Sequence, residues 1–345
     1  MGVIEVQAPG LLTTVQDLGR EGFGPLGVSP SGAADAVALR IGNRLVGNAE
    51  GAAGLEMTLL GGTFVFPDGA VLSVAGSDFG ATLDGKPVEI WTAFEAKPGQ
   101  VLRLGPTRSG ARCYLCVRGG IESKLFLGSA STHILSGLGG HEGRALRKGD
   151  VLKIGSSAGG TGILACSSSS SNPSGARLGR RVAPKVLQRL AARKILRVTD
   201  GPQSDWFPEF ARKIFYESTY RVAEESNRMG IRLEGAAISM SSRPQRQEET
   251  GRNACSTGIA GEMISEGVSL GAIQVPEGGK PIILFVEQQT TGGYPKIANV
   301  ISADFHSLGQ LRPRDEIRFE RVDFATARAL LIEQENLLAS QDLIV

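Results

Sequence analysis

The sequence predicts a mainly β protein of two related domains, closed or half-closed barrels, with a few short helices. Three observations lead there. Glycine is abundant, 47 of 345 residues, aromatics make up 6%, and short Val-, Ile- and Leu-rich runs are broken by Gly and Pro. That is the composition of strands and turns rather than of a helix bundle. A stretch rich in Gly and Ser, 156–179, with five consecutive serines, reads as a flexible linker. The halves on either side of it follow one plan.

Taken in order, 1–155 form the first domain. Within it, Ser31 to Val46 has the pattern of a helix, with Ser31 as N-cap, Asp35 in the first turn and Gly47 just past the end. The repeated plan then begins with a buried strand, Tyr114–Val117, a second strand, Leu125–Ser129, and a turn leading into an alternating strand, Leu146–Ile154. The linker and a basic segment occupy 156–194, and the second domain 195–322. There the plan recurs as Ile282–Val286, Ile297–Ser302 and Leu311–Phe319, and Leu55-Glu56 finds a counterpart in Leu233-Glu234. Asp205 to Ile214 suits a short helix. The rest of the chain, 323–345, suits a C-terminal helix with apolar positions at Phe324, Ala327, Leu330, Leu331, Leu337 and Leu338. Closing each domain into a barrel would hide the edges of so many short strands.

Lys and Arg number 37 against 35 Asp and Glu, a net charge of +2, which argues against a nucleic-acid or membrane-surface binder. The basic cluster from Arg177 to Arg193 reads as a solvated linker and helix face. No apolar run is long enough to span a membrane, and the first residues lack a secretory signal pattern. Four cysteines are too few for a disulfide framework, so a cytoplasmic location is expected.

Several motifs can be weighed on their chemistry. Cys113-Tyr-Leu-Cys116 sits in a strand, where positions three apart face opposite ways, so it reads as core rather than chelate. Gly22 to Gly27 matches G-x-G-x-x-G, but no helix opens on its glycines, so the dinucleotide reading fails. The start of the helix at Ser31 remains an anion-site candidate, with Arg20 and Ser29 close in sequence. His133, His141 and His306 are scattered, and no metal site is expected. Among carboxylates, Asp78 reads as a turn cap, while Asp17 and Asp304 lie in dense polar motifs that suit a general base or a metal ligand as well as capping. The most informative stretch is Val286 to Asp304. Two apolar strands flank Gln288, Gln289, Thr290, Thr291, Gly292, Gly293, Tyr294 and Lys296, placing reactive side chains at a sheet edge. Lys296 reads equally as an anion clamp or a solvated lysine.

These residues together resemble a known family. Pro9 to Arg20, Gly27 to Asp35, Asn43 to Asn48, Ser226 to Gly235, Gly271 to Pro276 and Gln289 to Ala298 are similar to successive blocks of the C-type subunit of 5-oxoprolinase, also called the KipI antagonist family. That family is related to allophanate hydrolase subunit 2 and to the A/B half of the urea carboxylase carboxyltransferase domain. The resemblance implies cyclophilin-like β-barrel domains and ATP-dependent opening of 5-oxoproline to glutamate. It implies two partner proteins, one KipI-like and one LamB/YcsF-like, and ATP with Mg in the assembled complex. Residue chemistry then nominates Lys296, Asp304 and Asp17 as catalytic. It nominates Arg20, Ser29, Ser31, Gln289, Thr290, Thr291, Gly292, Gly293 and Tyr294 for substrate or nucleotide. Two other readings stand beside it. One is a carboxyltransferase half, for which biotin would arrive on another protein because no Met-Lys-Met attachment motif occurs. The other is a non-catalytic binder of a KipI-like kinase inhibitor, with Trp91, Trp206 and Phe207 as contact anchors.

Overall fold

The structure is a computed structural model, and it describes residues 2–156, 178–240 and 263–345. The serine run of the expected linker lies outside them.

The first domain is two antiparallel sheets packed face to face. One runs in the order Val151–Lys153, Val3–Ala8, Thr63–Phe66, Gln100–Arg103, Thr82–Leu83, Lys86–Pro87. The other runs Leu12–Gln16, Gly54–Thr58, Arg112–Val117, Ala70–Gly76, Ala93–Ala96. Their alternate residues meet in one core that includes Ile4, Phe64, Phe66 and Leu102 from the first sheet and Leu55, Met57, Val74 and Leu115 from the second. Helix α1, Ala36–Val46, covers the outer face of the second sheet. The strand Arg112–Val117 is therefore buried along its whole length. Cys113 joins the core between the sheets and Cys116 the layer under α1, so the two thiols face opposite ways and stay free. Burial pushes both thiols up, Cys116 to about 12.

The expected strand at Leu125–Ser129 is instead a tight turn closed by Phe126 and Ser129. Leu127 and Gly128 take φ +50° and +79° at its centre, which is turn geometry and not strand geometry.

The second domain is a closed barrel. Its strands follow the order Ile195–Asp200, Lys296–Val300, Ala272–Gln274, Ile282–Leu284, Gly230–Glu234, Tyr220–Val222, Glu316–Arg321. The first and last strands pair in parallel and close it. Phe215, Tyr220 and Phe319 cluster in its core, with the Phe215 and Phe319 rings stacked 4.5 Å apart. Phe207 is also fully buried there, which removes it as a contact anchor. Trp206 packs against the same core, and Trp91 against the layer under α1. Helix α2, Pro184–Arg189, belongs to the basic segment, and α3, Glu209–Glu217, follows a short 3-10 turn at Ser204–Trp206. Helix α4, Phe305–Gly309, reaches toward the first domain, and α5, Phe324–Ala339, forms where a C-terminal helix was expected, capped by Asp323. Of the apolar positions expected to bury the face of α5, only Leu338 is buried and Phe324 is 74% exposed. Among the described residues no helix is long and apolar enough to cross a membrane.

The segment after the linker and the C-terminus both return to the first domain. Val182, Val186, Leu338 and Leu343 cover Val37, Ile41 and Leu45 of α1, and Arg40 makes a two-pronged ion pair with Glu335 at 2.8 Å. From the end of α4, Gln310 enters the first domain. Its carbonyl oxygen accepts from Ser77 Oγ, Ala111 N and Arg112 N, and its amide donates to the Asp35 carboxylate and the Arg112 carbonyl at 2.7 and 3.1 Å. Gln310→Leu, close in volume, leaves these groups unpaired in a buried interface. It is expected to lower unfolding stability by about 3 kcal/mol or more in urea denaturation. A loss under about 1 kcal/mol would show that Gln310 does not hold the domains together.

Candidate functional site

Where the domains meet, a cavity of about 200 Å³ opens between them. Arg20, Val28, Ser29 and His133 form the wall from the first domain, and Met229, Glu287, Gln288, Gln289 and Thr290 that from the second.

The first wall is shaped by Asp17. Its carboxylate accepts from Gly19 N at 2.7 Å, Ser129 Oγ and Ala130 N at 2.6 Å, and Ser131 Oγ at 2.5 Å. A carboxylate so occupied stitches the segment 17–20 to the segment 129–131, which is a positioning role. Arg20 completes the stitch by donating to Ser31 Oγ at 3.0 Å, to the Phe126 carbonyl at 3.3 Å and to the Ser131 carbonyl, with its guanidinium over the Phe126 ring. Burial lowers the pKa of Arg20, against the pull of Asp17 and Glu287. Ser31 takes φ +55° and sends its N–H across to the Val286 carbonyl at 2.8 Å, so the wall is tied to the second domain. Helix α1 does not start at Ser31. It begins at Ala36, capped by Asp35, whose carboxylate accepts from Ala38 N at 2.9 Å. The backbone N–H groups just before it donate inward, Ala34 N to Glu56 and Asp35 N to Tyr114, so the helix start lies five residues past the Ser31 position expected for an anion site.

On the second wall, Gln288 donates its amide to the Val268 carbonyl at 3.3 Å. Two buried atoms on the cavity-lining residues have no hydrogen-bond partner among the described residues: Ser29 Oγ and Gln288 Oε1.

The segment after Gln288 leads into the barrel. Thr291–Gly292 pairs with Glu266–Gly267. A side chain at 292 would come within 2.5 Å of Gln274 Nε2 and 2.8 Å of Gln289 Nε2, so glycine there lets the two amides close on the backbone. The Gly293 carbonyl accepts from Met263 N at 3.1 Å, and Tyr294 stays 39% exposed. Lys296 is buried. Its ammonium meets the Glu266 carboxylate at 2.5 Å and Met263 Sδ at 3.9 Å, and its backbone N–H donates to Gln203 Oε1 at 3.1 Å. The hydrogen bond from Lys296 holds Glu266 below the usual carboxylate range. Lys296 is thus paired, not solvated.

Of the sequence candidates, Arg20, Ser29, Gln289 and Thr290 come together at the cavity. Thr291, Gly292, Gly293, Tyr294 and Lys296 continue from it along the same segment. Asp304 does not join them. It is fully buried and held by Arg197, accepting from its backbone N at 2.8 Å and from its guanidinium, which leaves it away from the cavity. Asp78 caps its own turn by accepting from Gly80 N, as expected.

Beneath the cavity lies a group of charges that no sequence motif announced. Arg228 donates to Glu287 and to Glu56, each at 2.5 Å, and to the Gly32 carbonyl at 2.7 Å. Glu56 also accepts from Ala34 N at 2.8 Å and from Tyr114 OH at 2.7 Å, with Arg112 3.5 Å away. Burial works to raise the Glu56 carboxyl, but the guanidiniums of Arg228 and Arg112 with these two donors outweigh it and hold it below the usual range. The available signals were Glu56 as a matching point of the repeat and Arg228 inside one of the family-like blocks.

The sequence from 26 to 321 matches the model of the carboxyltransferase domain, subdomain A and B. The chain belongs to this carboxyltransferase family. It is 36% identical to the C-type subunit of 5-oxoprolinase from Escherichia coli strain K12, over 92% of this chain and 90% of that one. With the corresponding 5-oxoprolinase protein of Haemophilus influenzae it shares 34% identity, over 93% of this chain and 92% of that one. The crystal structure of the Kluyveromyces lactis urea carboxylase superposes with a TM-score of 0.84 at 32% identity, over 99% of this chain and 30% of that one. The fold is thus that of a carboxyltransferase A/B unit.

The depressed value of Glu56 sets a pH dependence. Its contribution to stability is complete above the ordinary glutamate value of about 4.3 and is lost as pH falls through the lower folded value. Glu56→Gln leaves Arg228 and Arg112 facing a neutral amide. It is expected to cost about 3–5 kcal/mol at pH 7 in urea denaturation, with the gap from wild type closing in acid. A gap that stays constant from pH 7 to pH 3 would place the stabilisation elsewhere.

Proposed function

We propose that this chain is one component of an ATP-dependent 5-oxoprolinase, which opens 5-oxoproline to glutamate together with a KipI-like partner and a LamB/YcsF-like partner. The observation that carries this reading is coverage. The match to the 5-oxoprolinase proteins spans about nine-tenths of both chains, whereas the urea carboxylase contains the unit as under a third of its length. A cytoplasmic location accords with this reading.

A lactam is a poor electrophile. Transfer of the γ-phosphoryl group of ATP to the amide oxygen makes that oxygen a leaving group and releases ADP. Water then adds at the carbon, and the C–N bond breaks with the nitrogen taking up a proton. A second water cleaves the resulting acyl phosphate to glutamate and phosphate. The cavity is of a size for the small cyclic amide rather than for a nucleotide, since pockets for drug-sized ligands run to about 300–1,000 Å³. Arg20 offers the ring carboxylate a partly desolvated cation, and Lys296 is the next cation along the segment that leaves the second wall, for a developing phosphoryl oxygen. Among the described residues no group of three or more His, Cys, Asp or Glu comes together to hold a metal. In this reading Mg comes with the nucleotide in the assembled complex.

The family's name supports a second reading, carboxyl transfer from a biotin carried on another protein to an amide. Feeding carboxybiotin and urea to the complex separates the two: transfer would favour this reading and its absence the first.

In a complex reconstituted from the three components, Lys296→Ala is expected to lower 5-oxoproline-dependent ADP release about 100-fold. The urea midpoint of the variant, measured in parallel, separates loss of chemistry from loss of fold. An unchanged rate removes Lys296 from the mechanism.

A further inference from the structure

The cavity walls carry an unexplained feature. Ser29 is 4% exposed and Gln288 6%, one from each domain, yet Ser29 Oγ and Gln288 Oε1 make no hydrogen bond among the described residues. Gln274 Nε2, on the partner of the cavity-lining Gln289, is unpaired among the described residues as well. The neighbouring Asp17, Arg20, Arg228 and Glu287 all have partners on the wall or beneath it. Leaving a buried polar group unpaired costs about 1–3 kcal/mol, so two such groups on the two walls of one domain junction point to a ligand that pairs them.

We infer that Ser29 and Gln288 read the edge of a cis amide. The inference rests on the cavity being the amide site proposed above. In a five-membered lactam, ring closure puts N–H and C=O on one edge, a donor beside an acceptor. The Gln288 amide nitrogen donates to the Val268 carbonyl at 3.3 Å, while Oε1, an acceptor without a partner among the described residues, is matched to the lactam N–H. The Ser29 hydroxyl donates to the lactam oxygen. Rotation about χ1 of Ser29 turns its hydroxyl to the cavity, and a change in the side-chain torsions of Gln288 turns Oε1 there, the 3.3 Å bond to Val268 giving way as it does. Urea, for which the Kluyveromyces lactis relative is named, offers the same N–H and C=O edge. The ligand class is therefore a small amide with a free cis N–H.

The pair makes a specific demand, because a site built to bond an N–H rejects the analogue that lacks it. In the reconstituted complex, Ser29→Ala and Gln288→Met are each expected to raise the KM for 5-oxoproline about five- to tenfold, the loss of one hydrogen bond, with the KM for ATP unchanged. Wild type is expected to reject N-methyl-5-oxoproline, and Gln288→Met to narrow that discrimination about tenfold. Ser29→Ala removes an atom with no protein partner, so its urea midpoint should stay level or rise, which a structural role for the hydroxyl would not allow. Gln288→Met also gives up the bond to Val268, so the stability readout belongs to Ser29→Ala. An active complex with unchanged KM and discrimination in both variants overturns the inference and leaves the proposed function standing. If the complex shows no 5-oxoproline-dependent ADP release, the proposed function fails. The pair is then judged by ligand-observed NMR of the full chain with 2-pyrrolidone and with urea. Saturation transfer that weakens in both variants supports the pair, and transfer that is absent in wild type or equal in all three overturns it.

Discussion

Arg228 between Glu56 and Glu287 is the interaction on which the rest depends. Its guanidinium bonds one carboxylate from each domain and the Gly32 carbonyl besides. Charges buried together are costly unless they are paired and hydrogen-bonded, and here Glu56 also accepts from Ala34 N and Tyr114 OH, with Arg112 3.5 Å away. An arrangement of this kind is intolerant of displacement, so it fixes how the two domains sit. The wall at Ser29 and the wall at Gln288 lie directly around it: Gly32 follows the first and Glu287 precedes the second. The distance across the cavity is thereby a property of the ion group, not of either domain alone.

Much of the fold was legible because it is local. A short apolar run marked the buried strand at Tyr114–Val117 and its two-residue period the opposite facing of Cys113 and Cys116, and the stretch from Asp323 to Ala339 was marked as a helix. Other elements were misread where tertiary bonds outweigh local pattern. Ser31 has the chemistry of an N-cap, but Arg20 and the Val286 carbonyl claim it, and the helix waits for Asp35. The run Leu125–Ser129 is apolar enough for a strand, yet Asp17 draws Ser129 into a turn. Asp304 lay in a polar motif but belongs to Arg197, 107 residues earlier in the chain.

The candidate site was legible in its residue types but not in its grouping. The polar segment after Val286 and the segment around Arg20 each stood out, and the structure brings Arg20, Ser29, Gln289 and Thr290 to one cavity. The ion group beneath it left little trace, since Glu56, Arg228 and Glu287 are far apart in the chain and none belongs to a motif of recognised chemistry. Pairing at such separations is decided by packing, which composition and periodicity do not encode. Where the second domain carries the glutamine–threonine segment, the first has Arg118-Gly-Gly-Ile121, a glycine turn with φ of +95° and +70° at Gly119 and Gly120.

The strip of α1 formed by Val37, Ile41 and Leu45 has its cover in Val182, Val186, Leu338 and Leu343. The ion pair from Arg40 on the same helix reaches 295 residues along the chain to Glu335. As the chain emerges from a ribosome, the first domain can assemble its sheets early but keeps this apolar strip bare until the far segment arrives. A half-made chain therefore carries an adhesive surface for longer than its core requires, and it is in that interval that a chaperone, or a second nascent chain, would find it.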